Sequence, residues 1–142
     1  MKPYHHRILI IAGVLVTSAL MAHAADDKRE PWDAPARAAK KKNPVAATEA
    51  SLARGHAIYT KECASCHGEQ GRGDGSGVKD LEVKPGDLND KSTTGQTDGA
   101  LFWKSTEGRK PMPSFAANYS DEDRWNVINY LRQLTAKDAP KP

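Results

Sequence analysis

Cys63-Ala64-Ser65-Cys66-His67 is the stretch whose reading decides the rest of this 142-residue chain. Two thiols at that spacing fall on one face of a helical turn, where both can add to the vinyl groups along one edge of a porphyrin. The imidazole next in line then reaches the metal. The C-x-x-C-H pattern therefore predicts one covalently attached haem of the c type, with Cys63 and Cys66 as the points of attachment and His67 as an axial iron ligand.

Two other chemistries use paired cysteines, and the flanks argue against both. A thioredoxin-like dithiol needs a strand before it and a helix after it, whereas Gly68, Gly71, Gly73, Gly75 and Gly77 follow here. A structural zinc site needs two further soft ligands. The chain has two cysteines, and beyond the N-terminal segment described next its one other histidine is His56, which reads as a surface residue.

Residues 1–24 read as a secretory signal peptide: Lys2 and Arg7 at the head, an apolar run from Ile8 to Ala22, and Ala22-His23-Ala24 as a small-residue cleavage site. That run is shorter than the roughly 20 residues of a membrane-spanning helix. Cleavage after Ala24 places the product in the periplasm with no membrane span; an uncleaved segment would leave an N-terminal anchor. Removing the leader takes away two of the three formal positive charges. From Ser51 onward basic and acidic side chains balance, so non-specific nucleic-acid binding is not expected. A chain this short builds one small domain, and a covalent macrocycle would supply much of its apolar centre.

Residues 25–47 mix alanine, proline and both charge signs without apolar periodicity, which predicts a flexible or surface-wrapping Ala/Pro/Lys-rich arm. A spacer is the simplest reading; a docking arm using Trp32 and Lys40-Lys41-Lys42 is the sharper one. The haem domain follows over residues 48–142. Thr48 is positioned to cap a helix reaching about Cys66, with Leu52, Gly55, Tyr59 and Cys63 along one face. Gly55 there suggests that another helix crosses closely.

Residues 68–88 read as a glycine-rich loop folding around the porphyrin edge. They lack the Gly-Lys-Ser/Thr ending of a phosphate loop and the acidic spacing of a calcium hand. Thr97 and Gly108 bracket a short helix whose Leu101, Phe102 and Trp103 are expected to wall the haem. Ser120-Asp121-Glu122-Asp123 opens a closing helix to about Leu134 with a broad apolar face, followed by a frayed tail over 136–142.

Between those helices lies Pro111-Met112-Pro113. Met1 and Met21 belong to the leader, which leaves Met112 as the mature chain's methionine. Flanking prolines stiffen an extended loop, so that a weak thioether ligand is held at iron; a gap-filling core residue is the alternative. With an imidazole and a thioether on the metal, no coordination position remains for a substrate. The chain then reads as an electron carrier and not an enzyme.

The order of these features resembles a class I cytochrome c, over about residues 48–136. The resemblance implies an all-α fold in which N- and C-terminal helices cross and loops wrap one covalent haem. It also implies thioether links at Cys63 and Cys66, iron ligation by His67 and Met112, and packing of Gly55 and Tyr59 against Val127 and Tyr130. In that family a proline carbonyl holds the proximal histidine's other nitrogen, a role that falls on Pro85 here. The spacing from His67 to Met112 looks like a compact bacterial form. Expected partners are redox proteins docking transiently at the haem edge, with Lys79, Lys84, Arg109 and Lys110 as candidate rim charges. Three functions follow: a free monohaem shuttle, a dedicated electron-transfer subunit of a larger oxidoreductase, or a sensor or enzyme whose Met112 dissociates.

Overall fold

In the computed structural model, residues 31–137 are described. The leader over 1–24, its cleavage site, the start of the arm and the tail beyond 137 lie outside the described residues. The elements in order are α1 (Ala36–Ala39), α2 (Glu49–Ile58), a π-helical turn (Tyr59–Cys63), α3 (Ala64–His67), α4 (Lys91–Thr94), α5 (Asp98–Glu107) and α6 (Asp121–Lys137). A short 3₁₀ turn spans Ser76–Val78. No strand occurs among the described residues; one isolated antiparallel bridge joins Arg109 and Met112. The expected all-α fold is the one observed.

Local chemistry starts each long helix. Thr48 Oγ1 accepts from the Ser51 amide at 3.2 Å, Thr97 Oγ1 from the Ala100 amide at 3.2 Å, and Ser120 Oγ from the Asp123 amide at 3.1 Å. Each hydroxyl satisfies an amide that the first helical turn leaves without a partner. Asp121, Glu122 and Asp123 add negative charge at the positive end of α6. Gly108 closes α5 at φ +68°, a left-handed conformation that glycine adopts without strain.

Helices α2 and α6 cross at Gly55. A Cβ there would lie 2.1 Å from the Asn126 carbonyl oxygen and 2.8 Å from Tyr130 Cβ, so the absence of a side chain lets the backbones meet. The predicted close approach is present, with the Asn126 carbonyl as the nearest neighbour. Tyr59 packs on Tyr130 with ring centroids 5.3 Å apart, and the exposed His56 ring lies 4.9 Å from the same tyrosine. Behind the crossing, Phe102 of α5 stacks on Trp125 of α6 at 3.9 Å and 11°, with Ile128 buried beside them and Val45, Leu101 and Leu131 around the rim.

Phe102 faces Trp125 in the core and Trp103 faces Trp32 at 6.3 Å, so both aromatics take part in helix and arm packing. The described part of the arm wraps the surface of the helices, the second of the two forms its composition allows, and is not a free spacer. Its backbone crosses α5 so closely that a Cβ on Gly99 would sit 2.3 Å from the Ala38 carbonyl oxygen. Thr97 Oγ1 donates to Ala39 O at 2.7 Å. Further along, Asn43 Nδ2 donates to Asn129 Oδ1 at 2.7 Å, while Asn129 Nδ2 donates to Val45 O at 3.0 Å and Ser51 Oγ at 2.9 Å. A low-complexity composition conceals these contacts because most of them use backbone carbonyls, which every sequence supplies.

Candidate haem site

The motif sits where one helical path ends. After α2 the chain widens through the π turn Tyr59–Cys63 and tightens again into α3, which carries Ala64 to His67 and stops at Gly68, φ +79°. The expected single helix to Cys66 thus contains a π turn, a form that often marks functional sites. Tyr59, buried, donates through its hydroxyl to Gly68 O at 2.6 Å and ties the start of the π turn to the end of α3. Burial raises the Tyr59 phenol above its ordinary pKa, so it stays a donor at neutral pH.

Cys63 and Cys66 are both half-buried free thiols, not joined to one another. Burial, reinforced by Glu62 and Cys66, pushes the Cys63 thiol up to about 12. His67 is pushed down from its ordinary value by desolvation, which favours the neutral imidazole that a metal requires. Its Nδ1 is buried and has no hydrogen-bond partner.

The glycine loop lies directly against this turn. Gly73 N donates to His67 O at 2.8 Å and Gly75 N to Cys66 O at 3.2 Å. A Cβ on Gly75 would meet Ser65 O at 2.2 Å, so the loop is as close to the motif as a backbone can come. Leu88 N then returns to Gly71 O at 2.7 Å. The Pro85 carbonyl borders Gly73, 2.6 Å from where a Cβ would stand. The bond from His67 Nδ1 to that carbonyl, implied by the resemblance, is not formed in this structure.

Met112 stands on the loop after α5, half-buried, exchanging backbone hydrogen bonds of 2.9 Å with Arg109 in both directions. The Lys110-Pro111 peptide is cis. Ser114 Oγ donates to Thr106 O at 2.5 Å and Phe115 N to Ser105 O at 3.1 Å, which fastens the loop back onto α5. Beyond it, Tyr119 OH donates to Glu62 Oε1 at 2.7 Å, and Lys61 Nζ lies 3.2 Å from the same carboxylate. That bond joins the Met112 side of the chain to the turn bearing Cys63. Nothing in the local sequence around Tyr119 announces it, because its partner is far away in the chain.

The donor set fits an iron porphyrin. The motif offers two thiols and an imidazole on consecutive turns, with a buried ring nitrogen awaiting a polar partner. Among the described residues no three His, Cys, Asp or Glu side chains gather to hold a bare metal ion. An ion that arrives inside its own macrocycle needs no such cluster.

Comparison with known proteins agrees. Residues 50–131, more than half of the chain, match the family model described as cytochrome c oxidase, cbb3-type, subunit III. Cytochrome c6 of Porphyra purpurea is 29% identical over 88 residues, covering 62% of this chain and 76% of that protein. Among solved structures, a chain of a reducing HAO-like protein complex from Kuenenia stuttgartiensis is 34% identical with a TM-score of 0.57 over 64% of this chain. The match spans 46% of that longer chain. A helical fold around a C-x-x-C-H turn, and a family match across both crossing helices, make this chain a member of the c-type cytochrome family, of class I and with a single covalent haem c.

Proposed function

We propose that this protein is a monohaem carrier of single electrons, exported to the periplasm after loss of residues 1–24. Haem c supplies a one-electron ferric/ferrous couple when bound. Cys63 and Cys66 would hold it by thioether bonds, and His67 and Met112 would hold its metal. The carrying observation is the convergence at one turn of both thiols and a desolvated imidazole, closed over by the Gly73 and Gly75 amides.

This arrangement suits electron transfer better than catalysis. With His67 and Met112 both holding the metal, the protein would leave no coordination site for a substrate. Pro111 and Pro113 restrict the backbone on either side of the sulfur, so little rearrangement accompanies a change of oxidation state. A thioether also favours ferrous iron and raises the potential relative to two imidazoles. Pro85, whose carbonyl borders Gly73, would be the acceptor for the ring nitrogen of His67 that the resemblance implies. Redox proteins are the proposed partners, docking transiently at the haem edge. No described helix is long and apolar enough to cross a membrane.

A second reading is a dedicated subunit of a larger oxidoreductase, favoured by the likeness to a chain of a reducing HAO-like complex. Haem staining of the denatured chain, with and without Cys63→Ser and Cys66→Ser, tests attachment: the stain should follow the cysteines. Gel filtration of natively extracted protein separates the readings, since a free shuttle elutes near its own mass and a subunit elutes with partners.

A further inference from the structure

The arm before Thr48 falls outside the class I pattern, yet one of its side chains reaches the segment that carries Met112. Trp32 lies against Trp103 at 6.3 Å, and two cations stand near its ring: Arg109 Cζ at 4.7 Å and Lys104 Nζ at 5.4 Å from the centroid. Such contacts attract through the ring quadrupole, more strongly where water is partly excluded. Trp32 and Lys104 are both half-buried, and desolvation holds the Lys104 ammonium below its ordinary value.

Arg109 is also the residue whose backbone pairs with Met112 in both directions. The far end of the same loop is fastened by Ser114 and Phe115 to the last turn of α5. Gly108 lets the loop double back, with its Cβ position 2.5 Å from the Pro113 carbonyl carbon. The near end therefore has Trp32 stacked on the side chain of the residue that pairs with Met112. The arm is itself anchored at Gly99 and Thr97, so Trp32 is presented from a docked segment.

We propose that Trp32 is a positioning residue for the Met112 sulfur: by holding Arg109, the arm keeps the methionine loop closed on the haem iron. The inference rests on the reading of Met112 as an axial ligand. Weakening the contact raises the fraction of molecules in which the sulfur has left the iron, and an outside ligand then enters faster. No direct contact between Trp32 and haem is required.

The test uses mature holoprotein carrying Trp32→Leu, Trp32→Phe or Met112→Ala, with imidazole as the probe. Imidazole association with the ferric protein and the midpoint potential are measured for each. Trp32→Leu keeps an apolar contact with Trp103 and removes the ring face; it should admit imidazole about fivefold faster and lower the potential. Trp32→Phe, which retains a ring, should stay within about twofold of the unaltered protein. Met112→Ala should bind imidazole fastest of all. Unaltered imidazole kinetics in Trp32→Leu, with fast binding in Met112→Ala, would overturn the positioning role and leave the ligand intact. Unaltered kinetics in Met112→Ala would remove the ligand assignment itself, and the role of Trp32 with it.

Discussion

Gly55 of α2 and Asn126 of α6 meet backbone to backbone: a Cβ on the glycine would stand 2.1 Å from the asparagine carbonyl oxygen. No real side chain tolerates that separation, and the obstacle is main chain that cannot swing aside. Gly55→Ala should therefore force the two long helices apart and cost about 3 kcal/mol or more. Thermal melting of the holoprotein checks this, with a melting temperature near that of the unaltered protein counting against the crossing.

Asn129 is the joint among the arm, α2 and α6. Its amide accepts from Asn43, and donates to Val45 O and Ser51 Oγ. Asn129→Leu would leave these polar groups facing an apolar side chain, at a cost of about 2–3 kcal/mol. Denaturant titration should show the midpoint falling. Hydrogen exchange should show the amides of the arm losing protection first.

Acid should loosen the molecule through two carboxylates. The hydrogen bond from Tyr119, and then Lys61, holds Glu62 below the ordinary carboxylate range; Arg54, 2.7 Å away, does the same for Asp123. A depressed folded-state pKa means stability that is fully present above the unfolded value of about 4 and lost as pH falls through the folded one. Denaturation midpoints should thus be level near neutrality and drop below about pH 4. Tyr119→Phe should make the drop shallower, because Glu62 then loses the larger cause of its shift.

Met112→Ala should lower the midpoint potential, since the soft sulfur that favours ferrous iron is gone. Potentiometric titration of the variant beside the unaltered protein measures it. An unchanged potential would return Met112 to the role of a core filler.

Much of this was legible in the sequence because the signals are local. Thr48, Thr97 and Ser120 act within their own helical turns, and the C-x-x-C-H spacing carries its chemistry wherever it is folded. Gly55 was readable as a crossing point, because a helix rarely keeps a glycine without a neighbour. A surface-wrapping arm was legible only as one of two forms, and its contacts were not: Gly99 touches carbonyls, and Thr97 and Asn129 bond to them, which leaves no mark on composition. The ring partners of Phe102 and Trp103 were not legible either, because aromatic character alone does not name Trp125 and Trp32. The Pro85 role came from resemblance, and the loop geometry places that carbonyl against Gly73.

The central claim is that side chains close both faces of the iron, so that it exchanges electrons and nothing else. Exposure of the ferrous holoprotein to carbon monoxide, followed by visible absorption, tests it most directly. The account predicts a spectrum that stays unchanged while the protein still titrates as a single one-electron couple. A prompt shift of the haem bands at low gas concentration would contradict it.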